Sequence, residues 1–312
     1  MTWLVTGGAG YIGSHIMHAL TNAGISTVAL DNLSNSSGNR LKDDFTLIVG
    51  DIRDLDLVGR IMRDYSITGV IHLAALKSPE ESISRSELYI DVNQVGTENL
   101  IKLATKKQIQ YFIQSSTAAV YDDSLGVRVK EESVLNPKTP YGASKVRAEN
   151  ALSIAIQDDL ILGMSLRYFN VVGSFSAHLK DTARNNLFPS VIESIRNSKS
   201  PVIFGSDYPT LDGTCIRDYI HVEDIASGHL AAIKALDGHL EEHIFNLGTG
   251  VGYSVREITF GLIEALDSNI EPIFGPRRDG DPVSVIADVS LARERLGFSA
   301  IKTLKEMIHS SI

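Results

Sequence analysis

Two side chains four residues apart, Tyr141 and Lys145, are the first candidates for chemistry. The spacing in Tyr141-Gly142-Ala143-Ser144-Lys145 puts both on one face of a helix. A free phenol titrates at about pH 10 and is a poor base near neutrality. A neighbouring ammonium favours the phenolate, and so does a positively charged oxidised nicotinamide. Together they would bring Tyr141 into the range where it accepts a proton from a substrate hydroxyl. Earlier in the chain, Thr117 ends the run Gln114-Ser115-Ser116-Thr117. Its hydroxyl suits a hydrogen bond to the same substrate oxygen, although a threonine there also reads as a turn residue. Ser115 and Ser116 are candidates to touch a nicotinamide or the backbone.

A Tyr-x-x-x-Lys pair is short, and a solvated helix pair would look the same. It gains meaning from what precedes it. Gly7-Gly8-Ala9-Gly10-Tyr11-Ile12-Gly13 follows a strand-like run and opens a helical one. Glycines let the backbone turn sharply and approach a pyrophosphate, while the helix N-terminus offers it free N–H groups. Asp31 ends the second strand-like run. Its carboxylate suits the hydroxyls of an adenosine ribose and repels a 2′-phosphate, and no arginine precedes Arg40. NAD, rather than NADP, is therefore the expected cofactor. Asp51 and Ile52 fall where such folds meet adenine, although Asp51 also suits a helix cap. Leu73, Ala74 and Ala75 follow the fourth strand, where small residues leave room for a cofactor. His72 just before them reads as structural. No metal is expected.

These groups need a framework that gathers them. Residues 3–5, 26–30, 45–49, 69–73, 111–115 and 161–168 read as strands. Helical patterns at 11–23, 55–64, 94–105 and 141–156 fall between them. The alternation predicts an α/β Rossmann-type fold, a doubly wound parallel sheet buried on both faces. The glycine turn, Asp31, Ala74 and Thr117 would then share the carboxyl edge, where such sheets bind ligands. After Asn170 the chain becomes rich in Asn, Ser, Pro and Gly. A helix is expected at 190–198, a strand then a helix across 219–236, a strand at 245–247, and helices near 255–266 and 291–296. The expected division is an NAD-binding domain at 1–170, completed by about 216–249. A smaller, irregular substrate domain takes 171–215 and 250–312.

Composition narrows the partners. The 312 residues are 43% hydrophobic and 21% charged, the balance of a folded globular chain. With 29 Lys and Arg against 38 Asp and Glu, the net charge is −9. Such a chain has no bulk electrostatic reason to bind nucleic acid or an anionic membrane, so an anionic ligand needs a few placed cations. One cysteine, Cys215, leaves no intrachain disulfide. No apolar run nears the ~20 residues of a membrane span. The N-terminus lacks the pattern of an export signal, so a cytoplasmic location is expected.

In this order the residues resemble the extended short-chain dehydrogenase/reductase superfamily. Further blocks are similar to its UDP-glucose 4-epimerases, also called UDP-galactose 4-epimerases. They are Leu166-Arg167-Tyr168-Phe169-Asn170, Asn185-Asn186-Leu187-Phe188-Pro189, Phe204-Gly205-Ser206-Asp207-Tyr208-Pro209-Thr210 and Asp212-Gly213-Thr214. Ile216-Arg217-Asp218-Tyr219-Ile220-His221-Val222, Asn246-Leu247-Gly248-Thr249-Gly250 and Arg277-Arg278-Asp279-Gly280-Asp281 complete them. The resemblance runs from residue 1 to about 300. It implies NAD-dependent interconversion of UDP-glucose and UDP-galactose through transient oxidation at C4 of the sugar. It also implies a homodimer through helices 94–105 and 141–156.

The resemblance implies roles for further residues. Asn170 and Asn186 would contact the UDP-sugar diphosphate and nearby groups, with Leu187 and Tyr219 beside them. Arg217 and Arg278 would clamp the phosphates, for which guanidinium forks are suited. Asp281 would hold a uridine ribose hydroxyl, and Phe204 would line the uracil pocket. Asn32, Lys77, Asn93, Tyr168 and Phe169 would join the cofactor contacts. Outside that context, Arg277 and Arg278 read as a solvated pair. Asp122-Asp123 follows Tyr121 where the family usually has glycine, and the chain ends sooner than many members. Val285 stands where some members carry a bulky aromatic, which implies room for an N-acetyl sugar. A 4,6-dehydratase would carry Asp-Glu after the threonine, where this chain has Ala118-Ala119. An inactive NAD-sensing relative would commonly lack the Tyr/Lys pair.

Overall fold

Strands and helices alternate through the first half of the chain as the pattern predicts. The structure is a computed structural model that describes residues 1–36, 38–41, 45–122, 128–238, 240–278 and 280–312. The strands of the main sheet are β1 (Thr2–Thr6), β2 (Ser26–Asp31), β3 (Thr46–Val49), β4 (Ile67–His72), β5 (Tyr111–Thr117), β6 (Leu162–Tyr168) and β7 (Ile244–Leu247). All pairings are parallel, in the order β7-β6-β5-β4-β1-β2-β3. The strand order reverses between β1 and β4, which opens a crevice at their carboxyl ends.

Helices cover both faces. On one side α1 (Tyr11–Asn22) and the later helix Val222–Ala235 bury Ile16, Met17, Leu20, Ile225 and Ala226 against Val5, Ile71 and Ile113. On the other, α2 (Leu55–Asp64), α3 (Gly96–Lys106) and α4 (Pro140–Gln157) bury Val58, Ile61, Leu100, Ala104 and Leu152 against Leu4, Val70 and Phe112. Burial on both sides explains why these strands read as nearly continuous apolar runs. Start signals are local. Asp54 accepts from the Leu57 N–H and begins α2. Thr139 accepts from the Gly142 N–H, and Pro140 sits in the first turn of α4.

The second half departs from expectation at one strand. Within 216–249, the helix Val222–Ala235 and β7 do join the main sheet layer, but Ile216–His221 does not. It is the hub of a second sheet, antiparallel to Gly252–Ser254 and parallel to Ser284–Ala287 and Asn170–Val172. The place beside β6 is taken by β7. Arg217 and Asp218 make Ile216–His221 a poor strand for burial between two apolar layers. Short helices at Pro79–Ser84 and Ser86–Tyr89, a π-turn at Ile90–Val95 and a helix at Leu304–Ser311 are further elements the pattern did not announce. The last packs Met307 and Ile308 against the helices Leu187–Arg196 and Val255–Ala265. Asp123 and Asp279 lie outside the described residues. Among the described residues, no helix is long and apolar enough to cross a membrane.

Candidate active site

The cap at Thr139 fixes where α4 begins, and so places Tyr141 in its first turn and Lys145 one turn later. Lys145 is buried, and its Nζ donates to Ser115 O at 2.9 Å and Ser115 Oγ at 3.3 Å. The Thr117 side chain lies close enough to the Tyr141 phenol to pull its titration down. The Tyr89 ring stands edge-on to Tyr141, with centroids 6.4 Å apart. Tyr141, Thr117, Lys145 and Ser115 thus meet at the carboxyl end of β5. The lysine ammonium is anchored on Ser115, and burial pushes the Tyr141 phenol up, with the nearby Thr117 pulling it down. Burial also lowers Lys145 to about 8, against the pull of Glu149. Without a cofactor, burial therefore outweighs the pull toward the phenolate.

The cofactor side is built around the glycine turn. Gly7 has φ +70°, and its N–H donates to Leu30 O at 2.8 Å. A Cβ on Gly13 would lie 2.1 Å from Gly7 O, so only glycine lets α1 start this close to the turn. No side chain caps α1 at Gly10, which leaves its first N–H groups for a ligand. Asp31 accepts from the Ala9 N–H at 3.1 Å and the Leu33 N–H at 2.8 Å, so its carboxylate is fixed beside the turn with lone pairs to spare. A backbone cradle that a Cβ would fill, an uncapped helix and a carboxylate at the end of β2 fit a dinucleotide.

Other expected cofactor residues are placed as follows. Asp51 does not cap a helix. It takes three bonds from Arg53 and one from Asn32 Nδ2 at 3.1 Å, and Arg53 holds its carboxyl well below the usual range. Ile52 is buried on the α2 and α3 side of the sheet. Leu73, Ala74 and Ala75 lie partly buried beyond β4, and Lys77 is exposed. Asn93, in the π-turn, accepts from Leu76 N at 2.8 Å, donates to Leu76 O at 2.9 Å and reaches Ser144 Oγ at 3.3 Å. The Tyr11 hydroxyl donates to Gly173 O at 2.6 Å, well away from the turn it follows. Ile12 opens α1 beside it. The Tyr168 hydroxyl pairs with His229 Nε2 at 2.9 Å, and Phe169 is buried with Val120, Tyr121 and Val285.

The expected nucleotide residues form two groups. Arg217 Nη2 meets Asp281 Oδ1 at 3.1 Å, while its Nη1 donates to Pro282 O at 2.8 Å. The Arg278 guanidinium lies 4.1 Å over the Phe204 ring. Asn186 donates to Asp181 Oδ2 at 2.5 Å at the start of the helix that Leu187 opens. Asn170 is exposed and in register with Tyr219, whose ring is buried against Phe188 at 5.7 Å. Val285 is opposite Arg217 in the second sheet.

One unit behind the site went unread in the sequence. Arg167 forks onto Glu149 at 2.9 and 2.7 Å, and its Nη1 donates to Tyr121 Oη and Glu131 O, both at 2.9 Å. The available signal was an arginine inside an otherwise apolar strand and a glutamate four residues after Lys145.

Comparisons with known proteins give the family and the fold. The family described as the NAD dependent epimerase/dehydratase family matches residues 3–248. A UDP-glucose 4-epimerase of Yersinia pestis is 40% identical, over 97% of this chain and 94% of that protein. The structure of a UDP-glucose-4-epimerase from Stenotrophomonas maltophila, solved with NAD and formylated UDP-arabinopyranose, superposes with a TM-score of 0.95 at 35% identity, covering 100% of this chain and 96% of that one. The UDP-Glc/GlcNAc 4-epimerase of Campylobacter jejuni superposes with a TM-score of 0.87 at 33% identity, covering 99% and 97%. The family match and the likeness in sequence and fold show that this chain belongs to the NAD dependent epimerase/dehydratase family.

Proposed function

We propose that this chain is an NAD-dependent epimerase that interconverts UDP-glucose and UDP-galactose by transient oxidation at C4, and that it also accepts N-acetylated UDP-hexoses. The observation that carries the reading is the meeting of Tyr141, Thr117 and Lys145 at the same sheet edge as the glycine turn. When bound, NAD supplies the acceptor, and later the donor, of the hydrogen at C4. Tyr141 takes the proton of the sugar 4-hydroxyl, and Thr117 orients that oxygen. Lys145, anchored on Ser115, supplies positive charge close to the phenol, and the charge of the oxidised cofactor adds the rest of the pull that burial opposes. Asp31 holds the adenosine ribose, the N–H groups of Tyr11 to Gly13 hold the pyrophosphate, and Asn32, Asp51, Ala74, Lys77 and Asn93 border the same seat.

Arg217 and Arg278 hold the UDP diphosphate, with Phe204 and Asp281 on the nucleoside and Asn170, Asn186, Leu187 and Tyr219 around them. These cations belong to the nucleotide half, so the sugar is free to turn while UDP stays bound. The wider sugar range is supported by the small Val285 and by the likeness to the Campylobacter protein named for both UDP-Glc and UDP-GlcNAc. The dinucleotide-binding part is 1–170 with most of 216–249, and the remainder binds the UDP-sugar. We place the enzyme in the cytoplasm as a homodimer joined through α3 and α4, which light scattering at twice 34.0 kDa tests.

Purified protein, with no cofactor added, should interconvert UDP-galactose with UDP-glucose, and UDP-N-acetylgalactosamine with UDP-N-acetylglucosamine. Formation of a 4-keto-6-deoxy product instead would mark a dehydratase. Tyr141→Phe should lose roughly 10²- to 10⁴-fold in turnover with UDP affinity unchanged. Full turnover in that variant would remove Tyr141 from its role.

A further inference from the structure

His72 lies in the interior between two threonines, and every proton in the arrangement can be placed. Thr6, His72 and Thr97 are all buried. The Thr97 hydroxyl donates its single proton to Asn93 O at 2.6 Å, so toward His72 Nε2, 2.8 Å away, it only accepts. The proton is therefore on Nε2, which leaves Nδ1 bare. Nδ1 then accepts from the Thr6 hydroxyl at 2.7 Å, and Thr6 Oγ1 keeps a lone pair for the Ala74 N–H at 3.4 Å. Burial lowers His72 to about 3, which keeps this neutral form throughout the working range.

Each end of this relay reaches a wall of the crevice. Thr6 directly precedes the glycine turn. Gly7 packs so close to the segment after β4 that a Cβ on it would lie 2.8 Å from Ala74 N. At the other end, Thr97 holds the carbonyl of Asn93, whose side chain clamps both backbone groups of Leu76 and touches Ser144, the neighbour of Lys145. The His72 carbonyl accepts from Ser115 Oγ, which also receives Lys145 Nζ.

We propose that Thr6, His72 and Thr97 are positioning residues that set the gap between the glycine turn and residues 74–77, and with it the seat of the dinucleotide. This rests on the reading above that the site holds NAD. The test compares Thr6→Val, which keeps the shape and loses the hydroxyl, with Thr6→Ser, which restores it. Nucleotide-stripped protein is titrated with NAD by calorimetry, with thermal midpoints recorded alongside. Thr6→Val should bind NAD about tenfold more weakly, with KM for UDP-galactose little changed, and Thr6→Ser should return to within about twofold of the parent. A merely structural loss would lower the melting midpoint and leave the affinity of the folded fraction intact. Parent-like NAD affinity in folded Thr6→Val overturns the proposal alone, whereas a parent protein that binds no NAD overturns it together with the function. Should Thr6→Val not fold, Thr97→Val and Thr97→Ser apply the same comparison at the other end. Independently, ¹⁵N NMR of the parent should find the His72 proton on Nε2, and a proton on Nδ1 contradicts the relay.

Discussion

At Lys145, solvation and function pull in opposite directions. Burial lowers this amine from 10.5 to about 8, while the Glu149 carboxylate, one turn along α4, resists. The unfolded chain returns it to its ordinary value. Between about 8 and 10.5 the unfolded state therefore binds more protons, and stability rises with pH through that window. Below it, the folded protein carries the full cost of a buried ammonium, on the order of 3 kcal/mol. Lys145→Met removes that cost together with the bonds to Ser115, worth about 1–2 kcal/mol. The variant should be inactive yet about 1–2 kcal/mol more stable at pH 7, with the gain gone by about pH 10. Denaturant unfolding at the two pH values measures it, and a less stable variant at pH 7 would show that burial is not what lowers the amine. The residue types were legible in the sequence because Tyr141 and Lys145 are close along the chain. Their protonation was not, because burial and the Ser115 carbonyl are supplied by β5.

Among the elements, those governed by neighbouring residues were the readable ones. The glycine turn, α1 and β2 follow from glycine spacing, apolar period and a terminal aspartate, and the structure keeps all three. Ile216–His221 was misplaced because its two charged residues argue against the main sheet but do not say which other strands it joins. Its partners come from 170–172, 252–254 and 284–287. The π-turn that carries Asn93 was also invisible, since one extra residue in a helical turn leaves no compositional mark. The glycine turn before α1 can be tested against a glycine beyond its other end. Gly13→Ala brings a Cβ to 2.1 Å from Gly7 O, a backbone atom that cannot swing aside. Gly24→Ala faces open space and bears only the strain of φ +74°. We expect Gly13→Ala to cost at least about 3 kcal/mol and to abolish NAD retention, and Gly24→Ala to cost about 1 kcal/mol with retention intact. Thermal unfolding and nucleotide content after purification decide it. Equal effects from the two would show that the close approach at Gly13 is not what the turn requires.

Across the whole molecule, a buried polar network joins parts that are far apart in sequence. Arg167 on β6 forks onto Glu149 of α4 and bonds Tyr121 and Glu131. The Tyr121 hydroxyl donates to Asn246 Oδ1 at 2.6 Å on β7, and Asn246 Nδ2 donates to Val129 O at 3.0 Å, in the short strand Arg128–Val129 that pairs with Ser284–Ala287 at the edge of the second sheet. The helix that carries Tyr141 and Lys145 is thereby tied to both sheets. Side chains of Glu149 and Arg167 are 2% and 1% exposed, so neither charge has water to fall back on. Removing one partner leaves the other charged and buried, at about 3–5 kcal/mol, whereas replacing both with apolar residues is often close to neutral. Arg167→Met should therefore lower stability by about 3–5 kcal/mol, and adding Glu149→Met should recover most of it. Recovery would be incomplete, because Tyr121 and the Glu131 carbonyl lose a donor in both variants. Denaturant unfolding of the two single variants and the double gives the coupling directly. Additive losses would mean that the fork contributes no more than its separate contacts. If stability returns in the double variant while turnover does not, the network's work is to aim α4 at the substrate rather than to hold the fold together.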